Sequence, residues 1–153
     1  DAGYLKDGEL FLKERIKDLF KTSNGKYVAP QMVEALLLVD KYIDQAAVIA
    51  DQRKFVSALI VPEFRLVEEW AREHRIPFNS REDLCANAQV QEMMMERIRT
   101  LQQSLASYEQ IKRITLLAHH FSMEAGELTN TLKLKRPVIN KNYQELIDKM
   151  YEE

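Results

Sequence analysis

A group of cations stands near the end of this chain, where its residue types could bind an anion. The stretch "ELTNTLKLKRPVINKNY", residues 127–143, contains Lys133, Lys135 and Arg136 but only one acid. The whole chain has a formal net charge of -2, so this positive charge is a local concentration. Enzymes that act on phosphate groups place cations where negative charge accumulates, and phosphate recognition is therefore one interpretation. A solvated surface strand is the other, and residue types alone do not decide between them.

The way these cations are presented depends on the backbone. If residues 131–136 are extended, successive side chains alternate between two faces. Lys133 and Lys135 then share one face, and Arg136 lies on the other with two leucines. The pattern predicts a pair of ammonium groups presented together.

A second basic segment, "KERIKDLFKTSNGKYVAP" at residues 13–30, surrounds a predicted Asn24-Gly25 turn. Glycine lets the backbone approach a ligand closely, and arginine can form forked bonds to hydroxyl or phosphate groups. An anion-handling loop is the functional interpretation, and a basic edge strand kept soluble by its lysines is the ordinary one. The cations taken to surround this turn are Arg15, Lys17, Lys21 and Lys26.

Three other groups could bind a metal or act as a nucleophile, and each has a simpler interpretation. Only Met94 of Met93–Met95 falls on the apolar stripe of its predicted helix, and methionine commonly fills gaps in a core. His119 and His120 are neighbours on a predicted strand, so they point to opposite faces. Cys85 has no evident basic neighbour to activate it. We expect neither a zinc site nor a cysteine nucleophile.

Composition limits the class of protein. The chain has 153 residues, of which 46% are hydrophobic and 30% charged, as expected for one soluble globular domain. The pI of about 6.0 argues against non-specific binding of nucleic acid. One cysteine, no evident signal peptide and no long apolar run favour a cytoplasmic protein. Because the chain opens on Asp1 and not on methionine, we expect a processed product or a fragment.

The hydrophobic pattern predicts the elements that position the two basic segments. Apolar runs rich in β-branched residues predict strands, and apolar residues at spacings of three and four predict helices. The mixture predicts an α+β fold: a small three-stranded sheet with an extra N-terminal hairpin, covered by helices. The expected elements are a hairpin around Lys6-Asp7-Gly8, a short strand before the Asn24-Gly25 turn, a helix from Pro30, two buried strands joined at 51–54, helices around 67–74, 84 and 90–108, a strand at 111–121 and a final helix at 143–150.

The two basic segments, in this order, resemble the closing part of the adenylate-forming enzymes. This is the superfamily of acyl-CoA synthetases, luciferases and peptide-synthetase adenylation domains. The first eight residues resemble the family pattern TGD-x-G-y-x-x-x-D-G, cut just before its aspartate. "ERIKD", residues 14–18, resembles GR-x-KD, and "SNGKYVAPQMVE", residues 23–34, resembles SGG-x-N-V-x-P-x-x-V/I-E.

The cation cluster carries the third motif of this resemblance. "TNTLKLKR", residues 129–136, resembles TP-x-GK-hydrophobic-x-R, with Asn130 in place of proline and Leu132 in place of glycine. In the long-chain fatty-acid branch of the family, leucine or phenylalanine is common before the lysine. "LFKTSNGKYVAPQ" and "DQRKFVSALIVPEF" also look most like that branch. The resemblance therefore implies a long-chain fatty-acid–CoA ligase.

The resemblance implies a reaction in two steps. A fatty acid attacks the α-phosphate of ATP, which gives acyl-adenylate and pyrophosphate, and the thiol of coenzyme A then displaces AMP. A small C-terminal domain rotates between the steps. Lys133 matches the lysine that reaches the carboxylate and the α-phosphate during adenylation, and Lys135 and Arg136 are expected to help attract polyphosphate.

The other roles follow from the same motifs. Asp1 matches the aspartate that accepts hydrogen bonds from the ribose hydroxyls, and Arg15 matches an arginine that also contacts the ribose. Lys17 falls at the hinge, where a few dihedral angles absorb the rotation. Gly25, with Lys26 beside it, matches the loop that faces the pantetheine channel in the thioester-forming state.

The resemblance places residues 1–16 in the tail of a large N-terminal domain and residues 17–153 in the mobile C-terminal domain. The large domain, absent from this chain, would hold the fatty acid, most of the ATP and Mg²⁺. We expect this fragment to be inactive alone, and contact of the longer protein with a membrane surface is left open. Two alternatives remain: a ligase of the same superfamily for another carboxylic acid, and a non-catalytic α+β binding module.

Overall fold

The computed structural model of the protein describes residues 19–152. The hairpin predicted around Lys6-Asp7-Gly8 lies outside the described residues, as do Asp1, Arg15 and Lys17. The elements within 19–152 form a two-stranded hairpin and a three-stranded sheet packed with helices. The predicted α+β class and its three-stranded sheet are confirmed.

A short hairpin opens the described chain. Strand β1, Phe20–Lys21, pairs antiparallel with β2, Tyr27–Val28. The predicted turn lies between them, and helix α1, Pro30–Leu37, follows with its proline in the first turn. Proline is suited to this position because its fixed φ is helical and its missing N–H would have no partner there.

The main sheet has three strands in the order β3-β4-β5. Strands β3, Ile43–Ile49, and β4, Val56–Pro62, form the predicted antiparallel hairpin, and β5, Ile111–Leu116, pairs parallel to β4. Every residue of the central strand β4 is buried, which accounts for its continuous apolar run. A parallel pair requires a long crossover, and helices between β4 and β5 supply it.

Five helices complete the layer around the sheet. Polar side chains cap the three crossover helices, because Glu63, Ser80 and Asn87 accept hydrogen bonds from N–H groups of the first turns. The helices are α2, Phe64–Glu73; α3, Arg81–Ala86; α4, Ala88–Leu101; α5, Arg136–Asn142; and α6, Gln144–Met150. No helix within residues 19–152 has the length and apolar character needed to cross a membrane.

The prediction that the long helix reaches Tyr108 is wrong, because α4 stops at Leu101. The reason is a tertiary contact of Gln102, a buried residue. Its side-chain amide accepts a hydrogen bond from the N–H of Ile111 at 2.7 Å and donates one to the carbonyl of Ile111 at 3.0 Å. The glutamine thus ties the helix end to the first residue of β5. The chain beyond it continues in turns and a short 3₁₀ helix, Ser107–Glu109, that contains Tyr108.

Two other predicted boundaries also shift. Strand β5 ends at Leu116 and not near Phe121. Leu116 pairs with Ile60 of β4, and β4 ends two residues later at Pro62, which has no N–H to continue the ladder. The predicted final helix is preceded by an additional one, α5, and the two meet at Tyr143. The sequence pattern missed α5 because only Ile139 of that helix is buried.

Candidate functional site

The cation cluster forms a tight hairpin. Leu128 and Leu134 face each other as an isolated antiparallel bridge. Outside this pair, the N–H of Lys135 donates to the carbonyl of Glu127 at 2.8 Å, and inside it the N–H of Thr129 donates to the carbonyl of Lys133 at 2.8 Å. We call residues 127–135 the lysine hairpin. The two lysines were predicted to share a face if residues 131–136 were extended. That segment is not extended throughout, because the chain reverses direction here.

The side chain of Thr129 organises the tip of this hairpin. Its Oγ1 accepts hydrogen bonds from the N–H of Lys133 at 3.0 Å and of Thr131 at 3.3 Å. Leu132 sits at the tip with φ of 63°, in the left-handed region that glycine adopts most easily. This is the position at which the resembled motif has glycine, a residue that adopts a left-handed φ without steric cost.

The three cations of the cluster have different surroundings. Lys133 and Lys135 are exposed, and the structure shows no ion pair of either ammonium with any residue in 19–152. Arg136 is instead held by Glu34, whose two carboxylate oxygens accept hydrogen bonds from its guanidinium at 2.7 and 2.9 Å. As far as residues 19–152 show, these two cations are exposed and could meet an external anion, while the charge of Arg136 is already compensated.

An open groove runs beside the lysine hairpin. Its volume is about 1140 Å³, and it lies between helix α1, the start of β3 and the hairpin. Ala35, Leu38 and Leu132 contribute apolar surface, while Lys133 and Lys135 add positive charge. The groove can therefore contact an anionic group and apolar surface together.

The first strand of the lysine hairpin is held by a buried carboxylate. Glu127 is only 3% exposed. Its oxygens accept hydrogen bonds from the N–H of Ser122 and from the side-chain amide of Asn142, each at 3.2 Å. Burial, together with a hydrogen bond to Glu127 and its charge, raises the pKa of Tyr143 to about 12, so this hydroxyl keeps its proton at neutral pH.

The second candidate site is the turn that contains Gly25. The N–H of Gly25 donates to the carbonyl of Thr22 at 2.9 Å, and its φ of 80° is left-handed. Beyond its two chain neighbours, no described atom lies within 4 Å of the place where a Cβ would stand, so the turn is open on that side. Glycine is needed here for its backbone conformation, while the space outside the turn is available to a ligand.

The Gly25 turn rests on the turn between β3 and β4. The N–H of Ser23 donates to the carbonyl of Arg53 at 2.9 Å, and the side-chain amide of Asn24 donates to the carbonyl of Lys54 at 3.2 Å. The ammonium of Lys26 lies 5.6 Å from the ring centre of Tyr108, a cation–π distance. These contacts fix a glycine turn that sequence alone predicted only as a local element.

The remaining candidates belong neither to the lysine hairpin nor to the Gly25 turn. Met95 is buried beside Met94, so the expectation that only Met94 faces the core is wrong, although the methionines do pack there. His119 and His120 follow β5 in a loop, where His120 contacts Asp44. Within residues 19–152, no group of three histidine, cysteine, aspartate or glutamate side chains is arranged to hold a metal ion.

Cys85 is expected to react slowly with alkylating reagents in the folded protein. Burial, and secondarily the charge of Glu82, raises the pKa of this thiol to about 11. At pH 8 the reactive thiolate is then scarce, and alkylation by iodoacetamide should be roughly a hundredfold slower than that of an exposed thiol. The rate should rise about tenfold per pH unit towards pH 11. Urea-unfolded protein is the control, and fast labelling of folded protein at pH 8 would contradict the prediction.

Sequence reasoning gave no role to the two buried carboxylates, Glu34 and Glu127, although Glu34 closes the motif at residues 23–34. The burial of Glu34 could have been inferred from its position in the helix, because it shares the buried face of α1 with Val33 and Leu37. A carboxylate on an apolar stripe needs a cationic or hydrogen-bonding partner, but the sequence does not say which one. Arg136, 102 residues further along the chain, is that partner.

Comparison with known proteins assigns the chain to a family. Residues 17–153 match the model of the AMP-binding enzyme C-terminal domain. Human long-chain-fatty-acid–CoA ligase 6 is 32% identical over 151 residues, and long chain acyl-CoA synthetase 2 of Arabidopsis thaliana is 31% identical over 150 residues. The matches cover 97% and 96% of this chain but only 22% and 23% of those proteins. The chain thus spans about a fifth of the length of these relatives.

Solved structures show the same fold. The adenylation domain of a carboxylate reductase from Mycobacterium chelonae matches with a TM-score of 0.73 at 22% identity, over 90% of this chain and 20% of that one. The adenylation domain of the carboxylic acid reductase from Segniliparus rugosus, solved with AMP and a co-purified carboxylic acid, matches with a TM-score of 0.72 at 22% identity, over the same shares. By the extent of the family match, this chain belongs to the C-terminal domains of AMP-binding enzymes.

Proposed function

We propose that this chain is the mobile C-terminal domain of an AMP-forming long-chain fatty-acid–CoA ligase. The reaction joins the fatty acid carboxylate to the α-phosphate of ATP with release of pyrophosphate. The thiol of coenzyme A then attacks the acyl carbon, and AMP leaves. The proposal is supported by the family of the domain and by the long-chain ligases among its relatives.

The observation that carries the proposal is the exposed ammonium of Lys133, which has no ion-pair partner within residues 19–152, on a firmly held hairpin. Adenylation builds negative charge on the α-phosphate, and a preorganised cation stabilises that charge. Lysine brings a compact charge on a long stem, and the hydrogen bonds of Thr129 define the backbone from which that stem extends. Lys133 is thus the adenylation lysine of the proposal, with Lys135 adding positive charge nearby.

The second half-reaction is assigned to the Gly25 turn. In the thioester-forming orientation this turn would line the pantetheine channel, where a side chain at Gly25 would obstruct the thiol. The open space at its missing Cβ is what such a channel wall requires. Lys26, on the same turn, would face the phosphates of coenzyme A.

The remaining assignments concern residues and components outside the described structure. Asp1 and Arg15 would bind the ribose of the nucleotide, and Lys17 would be the hinge between residues 1–16 and 17–153. ATP, coenzyme A, the fatty acid and Mg²⁺ would be held largely by the N-terminal large domain. We place the enzyme in the cytoplasm.

A test of the proposed function uses the longer protein that contains this domain. We expect ATP–pyrophosphate exchange and acyl-CoA formation with long-chain fatty acids, and neither activity from the 153-residue chain alone. Aryl and medium-chain acids form the comparison panel, because the acid pocket would lie in the large domain. Preference for an acid of that panel would replace the substrate assignment, and absence of exchange with every acid would refute the ligase.

A further inference from the structure

Arg136 has the geometry of an anchor and not of a phosphate ligand. Both oxygens of Glu34 accept hydrogen bonds from its guanidinium, at 2.7 and 2.9 Å. The Glu34 side chain is 9% exposed and that of Arg136 is 21% exposed. A forked arginine–carboxylate pair of this kind has a fixed orientation. An incoming phosphate would have to displace a buried carboxylate to use the arginine.

Glu34 is also held by a backbone group, in addition to its two bonds with Arg136. Its Oε2 accepts a hydrogen bond from the N–H of Val48 in β3 at 2.8 Å. The pair therefore joins helix α1, strand β3 and the residue that begins α5. The guanidinium also lies 5.3 Å from the ring centre of Phe20 in β1. Removing either partner would leave the other buried without its counter-charge, which such sites tolerate poorly.

The position of this anchor relates it directly to Lys133. Arg136 follows the lysine hairpin without an intervening residue, because the hairpin ends at Lys135. On the other strand, buried Glu127 holds the hairpin through its bonds to Ser122 and Asn142. Both ends of the hairpin are thus attached to the body of the domain, while its tip at residues 130–133 and the neighbouring Lys135 are exposed.

We infer that Arg136 and Glu34 are positioning residues for the adenylation lysine: their ion pair holds the lysine hairpin in the orientation from which Lys133 reaches the α-phosphate. The inference rests on the proposed function, and it replaces the expectation that Arg136 helps attract polyphosphate. Reacting groups are sensitive to small displacements, and an error of about 1 Å can cost on the order of 10²-fold in rate. A loosened anchor should therefore reduce turnover more than ATP binding.

Two variants separate this role from direct phosphate binding. R136K keeps the positive charge but cannot make the forked pair. E34Q retains an oxygen for the N–H of Val48, yet it removes the counter-charge and leaves Arg136 free. If Arg136 attracted polyphosphate, R136K would retain activity and E34Q would bind ATP at least as well as the wild type.

Arg97 provides the matched control. Its Nε–H is shared between the two carboxylate oxygens of Asp40, at 2.9 and 2.8 Å, and its guanidinium lies 4.3 Å from the ring centre of Tyr42. Asp40, like Glu34, is a carboxylate with a largely buried side chain, 7% exposed. This pair joins α4 to the loop after α1, away from the lysine hairpin. R97K therefore measures the general effect of weakening an arginine pair in this domain.

The measurements are steady-state ATP–pyrophosphate exchange in the longer protein and thioester formation from supplied acyl-adenylate. R136K and E34Q should each lower kcat for exchange by about 10- to 100-fold, with KM for ATP changed less than about threefold and thioester formation retained. R97K should behave as the wild type. Normal exchange in E34Q, a rise in KM alone, or an equal loss in R97K would overturn the inference.

A second readout does not depend on the ligase reaction. Amide hydrogen exchange should become faster at residues 127–135 in R136K and E34Q than in R97K, because the anchor restrains that backbone. Unchanged exchange at the hairpin would overturn the inference even in an active enzyme. If the wild type shows no ATP–pyrophosphate exchange, the proposed function fails, and the amide comparison still decides whether the pair holds the hairpin.

Discussion

Replacing Lys133 with alanine is expected to slow adenylation by about 10²–10³-fold in the longer protein. The variant removes an ammonium that has no ion-pair partner within residues 19–152, so no buried counter-charge is left behind. The backbone of the hairpin should be preserved, because Lys133 contributes its N–H and carbonyl, and not its side chain, to the bonds with Thr129. The loss should therefore be one of chemistry and not of folding.

The decisive measurement compares the two half-reactions. ATP–pyrophosphate exchange reports adenylation, and acyl-CoA formation from pre-made acyl-adenylate reports thioester formation. Lys133 would meet the substrate in only one of the two domain orientations, so thioester formation should be nearly unchanged. Lys135→Ala is the matched control, since it removes an exposed cation two residues away and should cost much less. An equal loss of both half-reactions in Lys133→Ala would exclude the assigned role.

Gly25→Leu should have the opposite pattern: near-normal ATP–pyrophosphate exchange, with transfer to coenzyme A slowed by about 10²-fold or more. Open space surrounds the position that a Cβ would take at Gly25, with no contact inside 4 Å from the described residues beyond its chain neighbours. The new side chain would therefore extend outward. In the thioester-forming orientation it would occupy the path proposed for pantetheine.

The backbone conformation at Gly25 creates a second effect that must be measured separately. Its φ of 80° costs a non-glycine residue about 1–2 kcal/mol. Gly25→Ala carries the same backbone cost with a minimal side chain, so it is the control for strain. The thermal unfolding temperature should fall by a similar amount in both variants, while only leucine should strongly slow transfer to coenzyme A. A folded Gly25→Leu enzyme with normal kinetics in both steps would show that this turn does not line the channel.

Only part of the basis for these two predictions could be read from the sequence. The cations near residues 133–136 and the Asn24-Gly25 turn were visible as residue types, and their motifs indicated the family. The ion pair of Arg136 was not visible in the sequence, because its partner Glu34 lies 102 residues away in the chain. A sequence shows that a residue is cationic, but whether that charge is free depends on what the fold places beside it.

Secondary structure shows the same division. The strands β3 and β4 were predicted from the sequence, since apolar runs rich in β-branched residues act over a few residues. The end of α4 was not, because Gln102 stops that helix by bonding to Ile111 of a strand. The apolar spacing continued past this point, and only the tertiary contact ended the helix.

Local patterns in the sequence were sufficient for the α+β class, the family motifs and the glycine that the Asn24-Gly25 turn requires, because these follow from burial and backbone preference over a few residues. Which charges are exposed and which are compensated depends on the tertiary structure. The fold turns the segment around Lys133 into a hairpin with Leu132 at a left-handed φ. It also places buried carboxylates at both ends of that hairpin. The physical reason is that a buried charge must find a partner wherever the fold brings one within hydrogen-bonding distance.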